Sequence, residues 1–192
     1  MTGRTDPRRF AFADPPYLGM CGRYDHHHGD DGRCWDDPET HRLLIERLES
    51  YDGWALCLHV PSLATMLGMV PDDVRVMAWV KTWASWKPGV YPAAAWEPVI
   101  IRGARRRRWA FGDADTPRDW HACVAHQKGF FGAKPPSMVW WVLDCLGVDP
   151  AVDTLDDLFH GSGAVVEAYR RWRDQERLPV ERFESLGMGL TD

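Results

Sequence analysis

Two short stretches carry residue types that can do chemistry. Asp14-Pro15-Pro16-Tyr17 sets a carboxylate, two prolines and an aromatic ring directly after the apolar run "RFAFA" at Arg9 to Ala13. Proline fixes φ and has no N–H to compete, so the carbonyls of such a turn keep their aim. The set is either a rigid turn or a means of holding something flat. The second stretch, "DLFHGSGAV", passes through Gly161 and Gly163 into helical sequence. There bare backbone could approach a ligand with helix N–H groups facing it. It has no G-K-[ST] and no G-x-G-x-x-G, so neither a phosphate-cradling Walker loop nor the dinucleotide pattern fits. Taken singly, each stretch reads first as a turn.

The elements that must position them alternate. "FAFA" reads as a buried strand. Asp37 caps a helix begun by Pro38, with Leu44, Leu48 and Tyr51 on one face. "WALCLHV" (Trp54 to Val60) is a second strand, and "PSLATMLGMV" a short helix from Pro61. "VRVMAWVKTW" (Val74 to Trp83) and "WEPVIIRGA" (Trp96 to Ala104) are a third and fourth strand. Arg105 to Ala133 has no clear period. "KPPSMVWWVLDCLGV" (Lys134 to Val148) is a helix with prolines at its start and Gly147 at its end. "DTLDDLF" (Asp153 to Phe159) is a strand, followed by a final helix. This alternation predicts an α/β domain with a mainly parallel sheet. Ligands of such sheets sit beyond the carboxyl ends of the strands, which places both stretches on one rim.

A length of 192 residues suits a single domain with a flexible start at 1–8. No apolar run is long enough for a membrane span, and the basic N-terminus lacks a signal core, so a cytoplasmic protein is expected. The five cysteines are scattered without a C-x-x-C pair, which supports neither a disulfide framework nor a zinc ribbon. The net charge is −5, yet "RGARRRRW" gathers Arg105, Arg106, Arg107 and Arg108 into one run. That run is either a solvated hairpin or a phosphate-contacting patch. His26, His27 and His28 lie in a loop rich in Gly and Asp. Their adjacency lacks the spacing of a compact metal site, so no metal is expected. The loop at 18–37 is either solvated or a cover for the substrate. Trp79, Lys81 and Trp83 end a strand facing the rim, as core or as pocket wall.

Together, Asp14-Pro-Pro-Tyr17 and Phe159-x-Gly161-x-Gly163 resemble the signatures of amino-group methyltransferases that use S-adenosylmethionine (SAM). With the catalytic motif first and the cofactor motif last, the chain looks like the circularly permuted β class of DNA adenine-N6 and cytosine-N4 enzymes. "KPPSMVWWVLDCLG" stands where that class has its K-P-x-x-L motif, and "WEPVIIRG" where it often has E-P-V. The resemblance covers Phe10 to Trp172. It implies a Rossmann-like fold with one antiparallel strand in the mostly parallel sheet. It also implies that Asp14 and the Pro15 carbonyl accept hydrogen bonds from an exocyclic amine, localising its lone pair, while Tyr17 stacks on the base. Phe159 would lie against SAM, with Gly161, Ser162 and Gly163 admitting its methionine end and Asp157 near its amino group. Lys134 and Ser137 would meet its carboxylate, and Asp14 would lie near it.

Three departures shape the expectations. The strand that binds the ribose in that family is absent up to the final stretch, where only "LPVERFES" could supply an acid, Glu181 or Glu184; a fold truncated there is expected. Target recognition is confined to 105–133, with Lys81, the arginine run and the histidine loop as substrate contacts. The histidine loop itself follows directly after the catalytic motif. The expected activity is methyl transfer to adenine N6 in DNA. RNA, a nucleoside or cytosine N4 are alternative targets, and a non-catalytic nucleic-acid-binding subunit is the alternative of another class. A homodimer is possible by analogy.

Overall fold

β1 (Arg9–Ala13) has its side chains divided between two cores, and the rest of the fold is built outward from it. The computed structural model describes residues 6–20, 35–85, 90–105, 116–124 and 133–176. Within these, β1 is followed by α1 (Pro38–Leu48), β2 (Gly53–Cys57), a 3-10 turn (Val60–Ser62), α2 (Leu63–Leu67), β3 (Arg75–Ser85) and β4 (Ala94–Arg102). Then come β5 (Trp120–Cys123), α3 (Pro136–Leu146), β6 (Thr154–Asp157) and α4 (Ala164–Glu176). The sheet order is β5-β3-β4-β2-β1-β6. β1 pairs in parallel with β2 and β6, and β3 with β5, while β4 runs antiparallel to both β2 and β3. This is the expected mostly parallel sheet with one antiparallel strand.

Alternation along the strands explains the layers. Phe10 and Phe12 face a core shared with α3 and α4, where Met138, Val142, Leu143 and Ala168 are fully buried. Ala11 and Ala13 face the other side, against Leu44, Ile45 and Leu48 of α1 and Met66 of α2. Small residues there let α1 lie close. Burying each phenylalanine contributes about 1.5–3 kcal/mol. α1 begins as its sequence predicts: the Asp37 carboxylate accepts the Glu39 N–H at 3.0 Å and Pro38 occupies the first turn. The second strand ends at Cys57, short of Val60, because Val60 to Ser62 closes into the 3-10 turn. Among the described residues no helix is long and apolar enough to cross a membrane.

The antiparallel strand decides where the arginine run starts, and it corrects one expectation. Arg102 lies opposite Trp54, near the start of β2. The chain therefore leaves β4 at the rim where β1 and β2 begin, away from Asp14 at the end of β1. Arg105 is not a free phosphate contact there. Its guanidinium donates to both oxygens of Asp153 at 2.7 Å and to the Asp6 carbonyl at 3.0 Å. Its backbone N–H donates to the Leu146 carbonyl at 2.8 Å, closing the end of α3. The left-handed Gly147 (φ 67°) makes that approach possible, since a Cβ there would lie 2.6 Å from the Arg105 carbonyl. A cation at a helix C-terminus with a fully buried carboxylate partner is a structural tie. Arg106, Arg107, Arg108, His26, His27, His28, Glu181 and Glu184 lie outside the described residues.

Candidate functional site

The carboxyl ends of β1, β2 and β6 meet the starts of α3 and α4, and the charged groups gather there. Asp14 follows the last residue of β1, and Asp157 ends β6, beside it in register with Phe12. Lys134 stands two residues before α3 and is buried. Its ammonium pairs with Asp14 Oδ2 and lies over the rings of Tyr17 at 5.7 Å and Trp79 at 5.9 Å. Lys134 was expected to face a cofactor carboxylate; its partner here is Asp14. Burial pushes the Asp14 carboxyl above the ordinary carboxylate range, with Lys134 pulling the other way. Burial also works against the Lys134 charge, but the neighbouring carboxylates outweigh it and hold the ammonium protonated.

Tyr17 sits inside this cluster. Its ring is only 8% exposed and stacks on His59 with centroids 5.4 Å apart. The expected open stacking face is thus covered in this state. The hydroxyl lies 3.0 Å from Glu97 Oε2 and 3.4 Å from Asp14 Oδ1. Glu97 comes from β4, opposite Trp79 of β3, and its other oxygen pairs with Lys81, two residues further along β3. That diagonal places Lys81 on the wall of the site, facing Glu97 and the Trp79 ring at 5.1 Å. Trp79 is core and wall at once: it is buried, and its indole N–H donates to Cys123 Sγ at 3.1 Å.

Sequence reasoning missed Glu97 and His59 as members of the site. For Glu97 the signal was available: period-2 alternation puts it on the same face of β4 as Val99 and Ile101, toward the α3 core. For His59 nothing local distinguishes it, since its contact with Tyr17 spans the rim.

The second motif forms the tight strand-to-helix turn expected. Gly161 and Gly163 have φ of 40° and 74°, the Ser162 hydroxyl accepts the Ala164 N–H at 3.4 Å, and α4 starts at Ala164. A Cβ on Gly163 would meet nothing within 4 Å, so open space borders the turn. Asp157 Oδ1 accepts the Phe159 N–H at 3.1 Å, while Oδ2 is buried with no hydrogen-bond partner among the described residues. Burial raises its carboxyl above the ordinary range. Phe159 packs edge-on against Trp35 at 5.0 Å, which returns the chain to α1. The first turn of α3, with Ser137, has no side-chain cap. A carboxylate oxygen without a partner among the described residues, an open glycine turn and an uncapped helix start suit a ligand bearing an ammonium and a carboxylate, as an amino-acid group does.

No protein-family model matches the chain, and no curated protein matches it. Among solved structures it is similar to the crystal structure of the M1.HpyAVI-SAM complex, with 10% identity, a TM-score of 0.50, and 86% of this chain and 79% of that chain covered. The crystal structure of M1.HpyAVI matches at 14% identity and a TM-score of 0.49, covering 88% and 77%. The likeness to the complex is one of fold, the Rossmann-like α/β arrangement.

Proposed function

We propose that this protein is a SAM-dependent methyltransferase acting on an exocyclic amine of a nucleobase, with adenine N6 in DNA as its target. The observation that carries the reading is the pairing of Asp14 and Tyr17 at the end of one strand with Asp157 at the end of its neighbour, where Oδ2 has no partner among the described residues. The similarity to the M1.HpyAVI-SAM complex supports the fold such chemistry uses. Asp157 Oδ2 would accept the ammonium of the cofactor, and the turn at Gly161, Ser162 and Gly163 would border its methionine end. When bound, SAM supplies a methyl group on a positively charged sulfur.

Asp14 and the Pro15 carbonyl would accept the two hydrogens of the amine, steering its lone pair. Proline geometry holds that aim. Tyr17 would stack on the base, worth about 1–3 kcal/mol in tested systems, once His59 yields its place against the ring. A duplex target would have to be extruded first. The structural tie at Arg105 removes one expected phosphate contact, which favours a nucleoside, with no phosphate backbone to hold, as the second reading.

Calorimetry tests the cofactor claim. SAM should bind to the wild type, and Asp157→Asn should weaken binding at least tenfold. No binding at millimolar SAM would refute the proposal.

A further inference from the structure

We infer that Glu97 terminates a proton path running from Asp14 through the Tyr17 hydroxyl, and that this path resets Asp14 between turnovers. The inference rests on the methyltransferase reading and adds to it a residue the reading does not need.

An amine that gains a methyl group must lose a proton. The nitrogen lone pair forms the new N–C bond as the C–S bond breaks with its electrons going to sulfur. The nitrogen then carries a positive charge and sheds one hydrogen as H+. On that reading Asp14 would accept that hydrogen, and its Oδ2 is occupied by Lys134. Oδ1 faces the Tyr17 hydroxyl at 3.4 Å, and that hydroxyl is nearer to Glu97 Oε2, at 3.0 Å. One hydroxyl has one proton and two lone pairs. Donating to Glu97, it turns a lone pair toward Asp14, the polarity an outward transfer needs. Asp14 passes its proton to the Tyr17 oxygen while Tyr17 passes its own to Glu97. The net change is one proton moved from Asp14 to Glu97, which releases it to water.

The surroundings fit a path and not only a clamp. Tyr17 and Lys134 are buried, and the side chains of Asp14, Glu97 and Lys81 are 20%, 19% and 24% exposed. A base held by Asp14 would cover the opening at that carboxylate, which leaves the way through Tyr17 to Glu97. Lys81 fixes the Glu97 carboxylate from its other side, so Oε2 stays on the hydroxyl. Glu97→Gln keeps the volume and an oxygen that accepts from Tyr17, but it cannot take up a proton. Tyr17→Phe keeps the ring and removes the middle of the path. Glu97 acts on Asp14 through the Tyr17 hydroxyl, so it is a positioning and relay residue.

The test compares single-turnover and steady-state methyl transfer in the wild type, Glu97→Gln, Tyr17→Phe and the double variant. The expected result for Glu97→Gln is a first turnover within about twofold of wild type and a kcat at least tenfold lower, with KM unchanged. Tyr17→Phe should lower kcat to the same degree, and the double variant no further, because one path is cut twice. Equal loss in both phases would make Glu97 a clamp for Tyr17 and overturn the inference, as would an unaltered kcat or multiplicative losses. A readout without cofactor accompanies it: Asp14 should titrate lower in Glu97→Gln by carboxylate infrared spectroscopy, since a neighbouring negative charge is gone. An unmoved Asp14 titration would separate the two carboxylates and refute the coupling. A wild type that binds no SAM would instead refute the reading beneath it, and the inference with it.

Discussion

Arg105→Ala is expected to destabilise the protein rather than to weaken a nucleic-acid contact. The guanidinium forms a two-pronged bond with Asp153, whose side chain is 0% exposed against 12% for Arg105. Removing one partner of a buried pair costs about 3–5 kcal/mol, because the other charge is left uncompensated. Asp153 keeps two donors, the N–H groups of Arg8 at 2.9 Å and Asp149 at 2.7 Å. The loss therefore belongs near the lower end, about 3 kcal/mol. A chain of this length loses about 2–4 °C in Tm per kcal/mol, so the midpoint should fall by about 6–12 °C in scanning calorimetry at pH 7. The effect depends on pH with a defined sign. Burial alone would raise the Asp153 carboxyl, but the Arg105 bond and the two N–H bonds hold it below the ordinary value of 3.8. Its stabilisation is present above that value and lost as pH falls through the lower folded-state value. The gap between wild type and variant should accordingly close in strong acid. The salt dependence of the proposed nucleic-acid binding should stay as it is, because this guanidinium faces Asp153. A Tm within one degree of wild type, or a salt slope lower by about one, would refute the assignment.

Three further outcomes follow from the site. Burial raises the Asp14 carboxyl, so if transfer uses it as an acceptor, as proposed, activity should fall as pH drops through a midpoint above 3.8; a pH–rate profile with its acid limb at or below 3.8 would contradict this. Gly163→Ala forces a side chain into the left-handed region, at about 1–2 kcal/mol, and points a methyl into the open space of the turn. Its SAM affinity should therefore fall by more than its stability does, as calorimetry and thermal melts would read. His41 is buried, with Nε2 bonded to the Trp35 carbonyl and Nδ1 unpartnered among the described residues; burial lowers its pKa below 6.5. Stability should decline as pH falls below 6.5, where only the unfolded chain readily takes the proton, and His41→Gln should flatten that decline in urea titrations.

The fold was legible where side-chain period and punctuation agreed. β1, α1 and α3 carried continuous apolar runs, an Asp-Pro start and a glycine stop; β1 and α3 appear within two residues of their expected bounds, and α1 ends at Leu48, three residues before Tyr51. β5 was not legible. "WHAC" is four residues long at the edge of the sheet, and no period can be read from four positions. The partner of a charge is equally hidden when it lies far along the chain: Asp153 is 48 residues from Arg105. A run of arginines reads as one surface, yet the antiparallel β4 delivers its first member to the far rim. The rim of the candidate site was legible in outline, because both motifs end parallel strands. Its internal contacts were not, because Lys134 chose Asp14 and Tyr17 chose Glu97 through sheet register, which no local pattern encodes.

The most direct test of the account is nucleoside mass spectrometry after incubation with isotopically labelled SAM and DNA, with RNA and free adenosine in parallel. The account predicts labelled N6-methyladenine in the wild-type DNA reaction and none with Asp14→Ala. Binding of SAM without label on any nucleobase, or full transfer by Asp14→Ala, would contradict it.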